Sequence, residues 1–269
     1  MLGVSDTMQE RIQASLDDCE QSEDVVVCLA VESGSRAWGF PSIDSDYDVR
    51  FIYVRRPEWY LSIDLEERRD VVERPLEDEI DLSGWDLRKA LKLFRKSNPP
   101  LMEWLQCPLV YRERFSVATR LRNLLPVSYS PRAAYFHYLH MAQGNFREYL
   151  RGETVWLKKY LYVLRPLMAV RWIERGLGPV PMEFQRLVDA TVQDTSVREA
   201  IGRLLADKAA GAELDRGPRI EPISAFVEGE LNRFESAEVP VETTGSSVAA
   251  LNDLFRAVVN EVWSRSPST

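Results

Sequence analysis

A chain of 269 residues is too long for one small domain and comfortable for two. Apolar residues at 45% and charged residues at 28%, with seven Trp, ten Tyr and ten Phe, exclude disorder over most of the length. A net charge of −8 and a pI near 5.1 exclude a bulk nucleic-acid coat protein but leave room for a local basic cleft.

In chain order, residues 6–20 predict an amphipathic helix with Met8, Ile12 and Leu16 on one stripe. Asp24 precedes VVVCLAVE, a β-branched run expected to be a buried strand. SGSRAWG is a turn leading into a very short helix. YDVRFIYV alternates as a second strand, which Pro57 ends, and EWYLSID is a short turn or helix. DVVERPLEDEIDLS predicts one or two strands, with Pro75 putting part of it at an edge. From Trp85 the period becomes helical, with Leu87, Leu91 and Phe94 in register, and Asn98 caps a further helix starting at PPLMEWL. Beyond Arg114 nearly everything reads as helix, including TVWLKKYLYVLRPLMAVRWIERG, which Pro166 should kink unless it begins a new helix. LLPVSYSP, at 124–131, is the candidate boundary; VETTGSS reads as a surface loop and SRSPST as a frayed tail, and there is no internal repeat. The expected class is α+β: a small mixed sheet flanked by helices in residues 1–125, then an all-helical domain in 126–269.

Cys19, Cys28 and Cys107 show no metal or redox spacing, and an odd, scattered set suits a reducing compartment. No apolar run approaches the length of a bilayer span, and the N-terminus lacks the pattern of a signal peptide, so a cytoplasmic location is expected.

The chemistry concentrates in ESGSRAWGFPSIDSDYDVRFIYV, residues 32–54. If Asp46-Tyr47-Asp48 opens a strand, its two carboxylates project to one face and repel unless a cation bridges them. A hard divalent ion, Mg²⁺ (or Mn²⁺), meets that need. Two such ions per site, about 3.5–4 Å apart, activate an attacking hydroxyl and stabilise a leaving pyrophosphate. The expected third ligand is Asp81 on a later strand, with Glu79 as the fallback; Asp44 is left as a loop residue. Gly34 and Ser35, opening a short helix, are expected to offer backbone N–H groups and a hydroxyl to phosphate, with Arg36 adding a charge-assisted contact.

GS-x₃-G followed by D-x-D resembles the DNA polymerase β-like nucleotidyltransferase superfamily. The longer match, continuing into IDLSGWDLRKALKLFRKSNPPLMEWL, resembles its RNA-repair-pathway-associated (RlaP-like) branch. The resemblance covers about residues 25–110 and extends more loosely through KKYLYVLRPLMAVRWI. It implies a small mixed sheet flanked by helices. It also implies Asp46, Asp48 and Asp81 as catalytic metal ligands and a Gly34-Ser35 loop holding the triphosphate of an NTP. The implied reaction moves an NMP onto an acceptor hydroxyl and releases pyrophosphate. Family context alone suggests an RNA or tRNA end as acceptor. The alternatives are AMP transfer to a protein, as in antitoxin-type enzymes of the superfamily, and nucleotide binding without turnover.

Arg88, Lys92 and Arg95 form a basic stripe with Lys89 beside it. It reads either as a solvated helix face or as Arg88 or Lys89 neutralising phosphate near Asp81. Lys158, Lys159 and Arg165 read as an exposed face or, by the resemblance, as a grip on triphosphate; Asn98-Pro99 is a cap that the resemblance also places at the nucleotide pocket. Glu103 is a possible buttress for a basic residue. His137 and His140, three apart on one helix, need outside ligands to hold a metal. Trp38 is the tryptophan to test for base stacking. No membrane partner is expected, and the sequence leaves the oligomeric state open.

Overall fold

Ser5 accepts a hydrogen bond from the Met8 N–H and so starts helix α1 (Asp6–Glu23), whose stripe of Met8, Ile12, Leu16 and Cys19 is buried. The computed structural model describes residues 4–42, 45–211, 214–234, 237–241 and 247–264. Asp44, residues 242–246 of the VETTGSS segment and the tail beyond Ser264 lie outside the described residues. Asp24, in the left-handed region at φ 50°, ends α1 and turns the chain into β1 (Val25–Glu32), buried at all but one position. The short α2 (Gly34–Ala37) leads to β2 (Tyr47–Arg55), and α3 (Pro57–Tyr60) follows. The run that predicted one or two strands forms two, β3 (Val71–Glu73) and β4 (Ile80–Asp86), with Pro75 between them.

Trp85 and Asp86 still belong to β4, so helix α4 (Leu87–Arg95) starts two residues later than its apolar period indicates; Asp86 caps it by accepting from the Arg88 N–H at 2.8 Å. Asn98 caps α5 (Pro99–Gln106) as expected. β5 (Val110–Glu113), which the sequence pattern does not reveal, precedes α6 (Val117–Ser128). The sheet order is β3-β4-β2-β1-β5; β2 and β4 run parallel and the other pairs antiparallel.

Period two sorts the β2 side chains. Val49, Phe51 and Tyr53 join the α1 stripe and Leu82 in one core, which leaves Asp48, Arg50 and Ile52 on the other face. Phe51 pairs with Gly84 across the parallel ladder, and a Cβ on Gly84 would stand 2.1 Å from the Phe51 ring. Gly84→Ala should therefore cost about 2–3 kcal/mol, read as a shift of the urea midpoint.

The remaining elements are α7 (Pro131–Tyr149), β6 (Thr154–Trp156), α8 (Lys159–Glu174), α9 (Phe184–Thr191), α10 (Thr195–Ala209), β7 (Arg216–Pro218), α11 (Glu221–Phe234) and α12 (Val248–Trp263). Contacts divide the chain into two units. The described residues of Met1–Ala37, Asp46–Ser128 and Thr244–Thr269 form the first, and those of Trp38–Ser45 and Tyr129–Thr243 the second. A division by sequence at 125/126 puts α12 with the helical half, whereas α12 packs on α4 and β2 and the Trp263 indole N–H donates to the Arg55 carbonyl at 2.8 Å.

The second unit is helical around α8, with one exception to the helical pattern. Thr154–Trp156 is not the first turn of α8 but pairs with β7 as a two-stranded ribbon. α8 runs through Pro166. Proline removes the N–H that would reach the Tyr162 carbonyl, and Asn145 of α7 donates to that carbonyl instead at 3.2 Å. Asn145→Ala should cost about 1–2 kcal/mol, read as a lowered Tm. Among the described residues no helix is long and apolar enough to cross a membrane.

Candidate active site at the mouth of the parallel strand pair

β1 ends where β2 and β4 begin, so Glu32, Asp48 and Asp81 lie at the same end of the three central strands. Asp48 and Asp81 are direct register partners, and side chains in register on adjacent strands share a face. Arg50, two residues on, shares that face as well. Its Nη2 donates to Asp48 Oδ1 at 3.0 Å and to Asp81 Oδ2 at 2.6 Å, and its Nη1 to the Asp81 carbonyl at 2.8 Å. One guanidinium thus bridges two carboxylates and offsets part of their repulsion. Asp46 is exposed, immediately before β2. Glu79, the fallback, is also exposed; it lies outside β4 at φ 71°, and its carbonyl accepts from the Tyr47 N–H.

Burial raises the Asp48 carboxyl above its ordinary value; Arg50 opposes the rise, and Asp81 and Asp46 add to it. A site that costs a carboxylate its hydration favours any cation that restores the charge. Asp48 and Asp81 fit a hard divalent ion in two respects: they are oxygen donors, and they already converge on one cationic nitrogen. Among the described residues no three His, Cys, Asp or Glu side chains converge as a metal cluster.

Gly34 touches Asp48. It sits at φ +60°, and a Cβ there would lie 2.0 Å from Asp48 Oδ2. Only glycine admits both the left-handed backbone and the carboxylate against it. Ser33 fixes the same turn, its N–H donating to the Asp48 carbonyl at 2.8 Å. Ser35 and Arg36 follow on α2, and the Arg36 guanidinium lies 4.0 Å from the centroid of the Tyr47 ring. Gly34→Ala should lower any turnover at this site roughly tenfold, at about 1–2 kcal/mol of backbone strain, measured by initial rates beside a thermal melt.

Sequence reasoning missed two residues here. Arg50 follows from the period-two rule that pairs Asp46 with Asp48, carried one step further. Glu32, fully buried, accepts from the Asp48 N–H at 3.0 Å through Oε1 and from the Tyr111 hydroxyl through Oε2. Burial pushes the Glu32 carboxyl up to about 7, against the opposing hydrogen bonds from Tyr111 and Asp48. Tyr111 lies on β5, far along the chain, and no local pattern connects the two.

The structure does not bring Arg88 and Lys89 to Asp81. They follow β4 at its far end, about 16 Å of strand away. Arg88 pairs there with Glu66, and Lys89 with Asp70 at 2.9 Å. Lys158 and Arg165 belong to the second unit. Lys158 is exposed just before α8. Arg165 is buried, with its guanidinium 4.7 Å from the Trp38 ring centroid and Nη2 donating to the Met182 carbonyl at 3.3 Å. The Trp38 ring also meets Tyr162 and Phe40, so it packs into the apolar cluster of that unit. Lys159 lies over the Tyr149 and Tyr162 rings, Glu103 is buried on α5, and His137 and His140 are exposed on α7.

A family model described as RNA repair pathway DNA polymerase beta family matches residues 8–257. The uncharacterized protein YcgL of Bacillus subtilis (strain 168) is 47% identical over 257 residues, which cover 95% of this chain and 98% of that protein.

Proposed function

The chain belongs to the RNA repair pathway DNA polymerase beta family, and on that premise we propose that it is a metal-dependent nucleotidyltransferase moving an NMP from an NTP to the hydroxyl of an RNA end. The observation that carries this reading is the lateral pairing of Asp48 with Asp81, with both carboxylates held on Arg50 and Gly34 set against Asp48.

Asp46, Asp48 and Asp81 would hold Mg²⁺ or Mn²⁺, which supplies the positive charge that polarises the phosphates and lowers the pKa of the attacking hydroxyl. The Gly34-Ser35 turn binds the triphosphate through backbone N–H groups and the Ser35 hydroxyl, and Arg36 adds a charge beside it. Asp81 receives the proton of the acceptor hydroxyl. The acceptor oxygen forms a bond to the α-phosphorus, and the bond from that phosphorus to the β-bridging oxygen breaks, so pyrophosphate leaves. Arg50 keeps the two carboxylates together before substrate arrives, a form of preorganisation. RNA as the acceptor is supported by the description of the family.

Incubation with α-labelled NTPs, Mg²⁺ or Mn²⁺ and either total RNA or cell lysate tests the reading. Label transferred to RNA supports it. Label on protein instead assigns protein AMP transfer. Bound nucleotide with no transfer to either overturns the enzyme and leaves a nucleotide-binding module.

A further inference from the structure

The cations of α4 have no part in the strand-mouth site. Arg88, Lys92, Arg95 and Lys96 line one side of a groove of about 700 Å³ within the first unit, formed with α12. Its apolar floor includes Leu91, Leu251 and Phe255. Arg88 and Lys92 share one carboxylate, Glu66. Arg95 and Lys96 are exposed and have no ion-pair partner among the described residues. Four cations and one shared acid make this wall a local inversion of a chain whose net charge is −8. A polyanion is repelled by the acidic surface at large and attracted here.

Successive turns of α4 put Arg88, Lys92 and Arg95 about 5–6 Å apart in a row, and Lys96, the residue that ends the helix, lies next to Arg95. A row suits a repeating anion better than a single phosphate. Phe255, half-buried and edge-on to Tyr60 at 4.9 Å, gives the groove an aromatic surface beside that row. A line of cations with an aromatic platform is the pairing that single-stranded nucleic acid requires: one follows the backbone and the other stacks a base. An acidic peptide would use the charges and leave the aromatic platform without a specific role.

We infer that the α4–α12 groove binds single-stranded RNA, with the phosphodiester backbone along Arg88, Lys92, Arg95 and Lys96 and a base against Phe255. The choice of RNA rests on the RNA-acceptor reading above, but binding here needs neither nucleotide nor turnover, so each can fail alone.

The test is fluorescence anisotropy of a labelled oligouridylate of about 15 nucleotides with the full chain, without NTP or divalent ion, between roughly 50 and 200 mM salt. Arg95→Glu/Lys96→Glu, a surface change checked by circular dichroism, is expected to weaken binding at least about tenfold and to flatten the plot of log K against log salt by at least about one unit. Phe255→Ala should weaken binding severalfold with the slope kept, and Asp81→Asn should leave binding intact. Unchanged affinity in the double charge reversal overturns the groove. So does a gain of about tenfold in Asp81→Asn, because without divalent ion an RNA lying against the acids would be freed from their repulsion. Tighter binding of polyglutamate than of RNA overturns the assignment in favour of an acidic protein partner.

Discussion

Asp48→Asn and Asp81→Asn are each expected to lower NMP transfer by about 10³-fold, on the order of 4 kcal/mol of transition-state stabilisation, while the fold survives. The two carboxylates occupy register positions on adjacent parallel strands and converge on one guanidinium nitrogen. Removing either charge lowers the negative field available to a divalent ion and leaves the hydrogen-bonding shape almost unchanged. Stability should move little, because each variant gives up an ion pair with Arg50 but relieves the repulsion between the two carboxylates, which adds to the burial-driven rise of the Asp48 carboxyl. Single-turnover rates at saturating Mg²⁺, beside urea melts without metal, separate the two effects. A rate within tenfold of the unaltered chain in Asp48→Asn would remove the metal-ligand assignment. The lower the charge on the pair, the less Arg50 is held, so Arg50→Ala should loosen metal-free protein more than metal-loaded protein.

The legibility of this site follows the range of the interactions that build it. Asp46, Asp48 and Gly34 lie within one stretch, where period two and turn chemistry operate, and the same rule marks Asp81 as facing away from the apolar Ile80 and Leu82. Arg50 obeys that rule but was hidden by its charge, since a cation two residues from an acid looks like ordinary strand decoration. Glu32 was hidden differently. It closes an apolar run, and its partner Tyr111 lies on β5, a four-residue strand too short to show a period. The helical elements show the same division. The apolar stripe of α12 establishes that one face is buried but not which unit buries it. β6 merged with α8 in the sequence because Val155 and Trp156 extend the apolar spacing of the helix. Arg88 and Lys89 stand close to Asp81 in sequence, yet an extended strand carries them out of reach within five residues, a separation that helix-like counting understates.

Glu32→Ala should have the second large effect, a loss of about 3–5 kcal/mol, with transfer reduced in whatever fraction remains folded. The change leaves the Asp48 N–H and the Tyr111 hydroxyl without their shared acceptor in a fully buried place, at about 1–3 kcal/mol each, and opens a cavity beside them. Glu32→Gln separates shape from charge, since its carbonyl can still accept from the Asp48 N–H while its amide donates to the Tyr111 oxygen. The sign of the pH effect follows from burial, which lifts the folded carboxyl from 4.5 to about 7. Below pH 4.5 the group is neutral in both the folded and the unfolded chain. Its contribution to stability is fully present there and is lost as pH rises through 7, by roughly 3 kcal/mol. Glu32→Gln has no such loss. The stability of the glutamine variant relative to the unaltered chain should therefore rise between pH 5 and 8, measured by urea unfolding across that range. A difference that stays flat with pH would mean that Glu32 is ionised throughout, held as a carboxylate by Tyr111 and the Asp48 N–H, and that its role is to fix the negative charge behind Asp48 rather than to yield it.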